Sequence, residues 1–93
     1  MSAVNEAFLK SLEDKLNETT EWPSVYMFKF IVPADNRKLA MVEALFSKEA
    51  QVSTKESRSG KYNSITGKVV MLNALEIIDK YRKASEIEDL IAL

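Results

Sequence analysis

The residues best suited to chemistry in this chain are Lys29, Arg58, Ser59, Gly60, Lys61, Tyr62 and Lys68, a set of cations and hydroxyls with one turn-forming glycine. Cations beside hydroxyls hold a phosphate or carboxylate through charge-assisted hydrogen bonds, which are stronger than neutral ones. Ser59-Gly60 adds backbone N–H groups that can cradle an anion, although a plain tight turn uses the same residues. What the set lacks is a nucleophile with its base. The chain has no histidine and no cysteine, which removes the commonest general base, thiolate chemistry, disulfides and the usual zinc ligands. Carboxylates such as Glu13-Asp14 and Glu88-Asp89 are sequence neighbours that diverge in direction, whereas acid–base work needs them to converge on a cleft. The expectation is binding without catalysis, and without a cofactor or metal.

Gly60-Lys61 and Gly67-Lys68 invite comparison with a phosphate loop. The glycine spacing is wrong for one, Val69 stands where a Ser or Thr would hold the metal, and the segment alternates as a strand does.

The elements that must position these residues follow from apolar periodicity. Val4, Phe8, Leu9, Leu12 and Leu16 fall at three-, four- and seven-residue spacings, predicting an amphipathic helix over 4–18. Trp22-Pro23 stops it, because proline pushes the residue before it into an extended path. Residues 24–32 place Tyr26, Phe28, Phe30 and Val32 on one face of a strand and Val25, Met27, Lys29 and Ile31 on the other, and the aromatic face is the one that meets the core. Asp35-Asn36 supplies a cap for a helix marked by Leu39, Val42, Leu45 and Phe46. Residues 52–58 read as an edge strand guarded by Lys55 and Glu56, and the Ser59-Gly60 corner returns the chain. In the returning strand Ile65, Gly67, Val69 and Met71 share one face, while Tyr62, Ser64, Thr66, Lys68, Val70 and Leu72 take the other. Gly67 marks either a bulge or a close approach by a packed helix. Asn73 to Glu76 reads as a capping box, opening a helix through Leu75, Ile78 and Tyr81 with Glu76–Lys80 and Asp79–Lys83 pairs. Residues 87–93 suit a final strand.

A chain of 93 residues buries only somewhat above roughly 60% of its unfolded surface, so one domain is expected. Within it, 1–21 form a helix and linker and 22–93 a βαββαβ core. This is an α+β, ferredoxin-like two-layer sandwich with an additional N-terminal amphipathic helix. The net charge of −1 offers no global field to draw the chain onto nucleic acid or an anionic membrane. With no basic leader and no apolar run near the roughly 20 residues that cross a bilayer, a cytoplasmic location is expected.

The runs Trp22-Pro23-Ser24-Val25-Tyr26-Met27-Phe28-Lys29 and Ser59-Gly60-Lys61-Tyr62-Asn63-Ser64-Ile65-Thr66 resemble the YbeD-like family, small bacterial proteins classed as a domain of unknown function. The resemblance covers roughly residues 16–93 by order of elements. It implies a ferredoxin-like domain similar to the regulatory ACT-type modules, which bind small ligands and often dimerise, and it brings no catalytic residues. The leading helix and the end of the final strand are where the chain departs from the pattern.

With the helices on the aromatic face, the other face is left with Lys29, Lys55 and Lys68 among Tyr62, Ser53, Ser64 and Thr66. A solvated face with lysines that block aggregation is the plain alternative to a ligand surface. The same face carries Val25, Met27, Ile31, Val70 and Leu72, too many apolar groups for a soluble monomer to leave in water. Either the leading helix covers them or a second copy does, as a symmetric homodimer. The expected function is a non-enzymatic regulatory or adaptor domain that binds a small anionic metabolite or a protein partner. The alternative is a protein-interaction module that uses the apolar sheet face or the leading helix and takes no small ligand. The strand order also suggests RNA recognition, but the first strand's aromatics lie on the core face, so no nucleic-acid or membrane partner is expected.

Overall fold

The computed structural model describes residues 5–93, so Val4 of the first helix stripe lies outside the described residues. Helix α1 (Glu6–Thr19) precedes strand β1 (Ser24–Pro33), helix α2 (Asn36–Glu43), strands β2 (Gln51–Glu56) and β3 (Tyr62–Met71), helix α3 (Ala74–Ala84) and strand β4 (Ile91–Ala92). The four strands form one antiparallel sheet in the order β2-β3-β1-β4. Strands β1 and β3 pair over their full length, from Ser24 opposite Met71 to Pro33 opposite Tyr62. This is the α+β, ferredoxin-like arrangement with a leading helix.

Alternation along β1 decides which face is covered. Phe28, Phe30 and Val32 are fully buried, together with Ile65 of β3, Val42 of α2 and Ile77 of α3, in one continuous core. Each helix starts on a side-chain cap worth about 1 kcal/mol. Asn5 accepts from the Phe8 N–H at 2.9 Å, Asp35 from Arg37 at 2.8 Å, and Asn73 from Glu76 at 2.9 Å. The Glu76 carboxylate reaches back to the N–H of Leu72, one residue before the position a capping box uses.

Several local expectations are corrected. On α3 the buried stripe is Ala74, Ile77, Ile78, Tyr81 and Ala84, whereas Leu75 is exposed. The anticipated Glu76–Lys80 and Asp79–Lys83 pairs do not form. The Lys80 ammonium instead donates to the carbonyl of Leu45 past the end of α2 and stands over the Phe46 ring, 5.4 Å from its centroid, while Asp79 faces Arg82 at 3.9 Å. The edge strand ends at Glu56, two residues early, because Ser57 closes the turn: its N–H donates to the Tyr62 carbonyl at 2.8 Å. The last strand is only Ile91–Ala92. Ile87 and Leu90 before it turn inward and complete the core.

Helix α1 packs beside α3 and leaves the far side of the sheet open. Leu9 and Leu16 enter the core, Phe8 meets the Tyr81 ring edge-on with centroids 5.8 Å apart, and Glu6 pairs with Arg82 at 2.8 Å. The amphipathic stripe is therefore spent on the helical layer.

Tyr81 couples this layer to pH. Its buried hydroxyl shares a 2.9 Å hydrogen bond with that of Tyr26, and burial first, then that bond, pushes its pKa far above the ordinary tyrosine value. The neutral phenol is thus favoured by folding. Its contribution is fully present below the unfolded tyrosine pKa of about 10 and is lost as pH rises beyond it. Urea midpoints are expected to fall above about pH 10. The fall should be shallower in Tyr81→Phe, and identical pH profiles for the two proteins would contradict the assignment.

Candidate functional site

Strand register builds the open face in rows. Val25 lies opposite Val70; Met27, Lys68 and Gln51 form the next row; then Lys29, Thr66 and Ser53; then Ile91, Ile31, Ser64 and Lys55; and finally Pro33 beside Tyr62. Directly paired residues share a face, and these rows alternate with the buried Phe28, Phe30 and Val32, so they point away from the helices. One end of the face is apolar and strongly exposed: Val25 65%, Val70 57% and, just beyond β3, Leu72 62%. The middle carries lysines and hydroxyls. The other end is concave.

That concavity measures about 530 Å³ and is lined by Ile31, Lys55, Arg58, Tyr62 and Ser64, with Glu56 and Ser57 from the end of β2. Its wall is mainly hydrocarbon and aromatic ring, with two cations at its margin. Among the described residues no carboxylate forms an ion pair with Lys55, Arg58, Lys29 or Lys68. A smaller hollow of about 240 Å³ lies along the face, lined by Gln51, Val52, Ser53, Thr66 and Lys68.

The anticipated site residues therefore separate into three groups. Arg58 and Tyr62 meet in the larger hollow, joined by Lys55. Lys68 belongs to the smaller one, and Lys29 sits between them opposite Thr66. Ser59, Gly60 and Lys61 build the hairpin turn. Gly60 has φ of 72°, a conformation that suits glycine. Its N–H donates to the Ser57 carbonyl at 2.9 Å, that of Lys61 to Ser59 Oγ at 3.3 Å, and that of Tyr62 to Ser57 Oγ at 3.1 Å. These donors are satisfied inside the turn, which is the plain tight-turn use of Ser59-Gly60. Ser57 is absent from the expected site residues because alternation alone runs the edge strand through it, whereas the strand ends at Glu56. Ile91 and Leu93 were missed as neighbours of the open face because two residues of strand carry too little alternation to read.

Among the described residues no cluster of three or more acidic side chains could hold a metal ion, and no helix is long and apolar enough to cross a membrane. Tyr62 is the one aromatic side chain that register places on the open face.

Comparison with known proteins gives a family and no ligand. Residues 17–93 match the family model described as "Protein of unknown function (DUF493)". A UPF0250 protein of Shewanella piezotolerans is 31% identical over 81 residues, covering 83% of this chain and 92% of the relative. A UPF0250 protein of Shewanella halifaxensis is 30% identical with the same coverage. No solved structure matches. Most of α1 precedes the matched residues, whereas every row of the open face lies within them. The chain belongs to the DUF493 family of small bacterial proteins, in agreement with its YbeD-like motifs.

Proposed function

We propose that the chain is a non-enzymatic regulatory or adaptor domain whose open sheet face binds a small anionic metabolite. The observation that carries this reading is the hollow where Lys55 and Arg58 stand beside Ile31 and Tyr62. Its volume of about 530 Å³ is within the range of metabolite sites, which are largely apolar with a few placed polar groups. A ligand that fits has an apolar or aromatic body lying on Ile31 and the Tyr62 ring. It carries a carboxylate or phosphate that accepts hydrogen bonds from Arg58 and Lys55. The non-enzymatic part of the reading rests on a sequence that supplies neither histidine nor cysteine.

The test is thermal shift followed by calorimetric titration with a panel of aromatic and aliphatic carboxylates and phosphate esters. At least one should bind saturably, and Arg58→Ala or Lys55→Ala should weaken it by about tenfold or more, as loss of a charged hydrogen bond does. Lys61→Ala, in the turn and outside the hollow, should leave affinity unchanged. A binder indifferent to Arg58 and Lys55, or a panel with no binder, would refute the proposal.

A further inference from the structure

The other end of the same face has a different character. Val25 and Val70 pair across β1 and β3, Met27 follows beside Lys68, and Leu72 continues the strip; all are among the most exposed apolar side chains of the described residues. Lys68, Lys29 and Lys55 step across the next three rows. Register puts no carboxylate in any of these rows, although the chain carries 14 acidic residues and a net charge of −1. Glu56 at the rim of the hollow and Glu76 below Leu72 stand at the margins of the face, so among the described residues its rows combine exposed hydrocarbon with lysines that form no ion pair.

The charge pattern discriminates among occupants. The chain's own leading helix is committed to α3 through Leu9, Leu16 and the Glu6–Arg82 pair. A second copy meeting the first row on row would set Lys29, Lys55 and Lys68 against the same three lysines, and with the rows reversed Lys29 and Lys68 would still meet each other, so like charges oppose either pairing. A complementary partner is apolar along a stripe and acidic beside it. Dimensions suit a helix: the outward positions from Val25 to Ile31 span about 20 Å of strand, which three to four helical turns match. The four strands are about 14 Å across, room for one helix about 10 Å wide.

We infer that the open sheet face docks one amphipathic, acidic helix of a partner protein, its apolar stripe on Val25, Met27, Val70 and Leu72 and its carboxylates against Lys29 and Lys68. This surface is distinct from the Lys55–Arg58 hollow and does not depend on a ligand there. The two adjoin through Lys29 and Ile31, so an occupant of the hollow would touch the docked helix, which is the geometry an adaptor needs to make partner binding ligand-sensitive.

The experiment uses two synthetic helical peptides of about 14 residues with the same apolar stripe, one flanked by Glu and the other by Lys. Each is titrated into the full, isotopically labelled chain and followed by amide NMR. The acidic peptide should bind saturably, shift resonances of residues 25–29 and 66–72, and weaken as salt rises. Met27→Asp or Val70→Asp should abolish binding. The double variant Lys29→Glu, Lys68→Glu should lose about tenfold or more for the acidic peptide and gain affinity for the basic one. Arg58→Ala should leave peptide binding intact while weakening small-ligand binding by about tenfold or more, so failure of one proposal is told apart from failure of the other. Equal binding of both peptides, shifts centred on α1 and α3, or no saturable shift would overturn the inference. So would face-dependent binding to phosphatidylserine vesicles or single-stranded RNA in place of the peptide, or self-association abolished by Val70→Asp.

Discussion

Gly67→Ala is expected to destabilise the fold by about 1–3 kcal/mol, the usual cost of overpacking a core, and to do so through a single neighbour. A Cβ at position 67 would lie 2.8 Å from Cδ1 of Phe46 and nearer still to Cε1 and Cζ. The backbone is not the obstacle. Only Gly60 among the glycines has a positive φ, so alanine fits the dihedrals of residue 67. The ring cannot move away freely, because it packs against Phe28 and Phe30 with centroids 5.9 and 6.2 Å distant and carries the Lys80 ammonium above it. A double-mutant cycle isolates the contact. In a Phe46→Ala background the clash is gone, and Gly67→Ala should become neutral or stabilising by about 0.5–1 kcal/mol, since alanine loses less backbone freedom than glycine. Additive effects in urea denaturation would show that the ring is not what excludes the methyl group.

The same contact shows where the sequence was legible and where it stopped. Phe28 and Phe30 announced their inward direction because strand parity is rigid: once two aromatics two residues apart are placed, every outward residue of β1 follows, Lys29 included. Parity through β3 placed Lys68 and Thr66 on the open face in the same way. Gly67, by contrast, was compatible with a bulge or with a close approach, and only the unbroken β1–β3 register together with the Phe46 ring selects the second. Phe46 sits beyond the last turn of α2, so its reach over β3 depends on tertiary packing that local periodicity does not encode. Lys80 is similar: helical spacing offered Glu76, yet the ammonium spans 35 positions to the Leu45 carbonyl, an acceptor left free at the end of α2. Helix α1 displayed a stripe that demanded an apolar partner without specifying which one, and the choice of α3 is what keeps the candidate site open. At the site itself, the lysines were readable by alternation. The hollow was not, because it forms only when β2 ends at Glu56 and the Ser57–Tyr62 turn swings Arg58 beside Tyr62 and Lys55.

Phe28→Ala should be the costliest single change, at about 3–5 kcal/mol for a fully buried ring. Phe28 has no exposed surface and is enclosed by aromatic neighbours: ring centroids of Tyr26 at 4.7 Å, Tyr81 at 5.3 Å, and Phe30 and Phe46 both at 5.9 Å. Small domains are stable by only about 5–15 kcal/mol, so much of the margin disappears. The consequence for function is specific. Phe28 lies between Met27 and Lys29 in sequence, and its burial is what turns both toward the open face. Binding by a Phe28→Ala protein should therefore decline in step with the folded fraction as urea is added, and recover in full wherever the fold is intact. Arg58→Ala should do the reverse, losing ligand with an unchanged urea midpoint. If Phe28→Ala cost less than about 1 kcal/mol, the ring would not be the centre of the core. The assignment of outward residues along β1, and with it both proposed sites, would then lose its foundation.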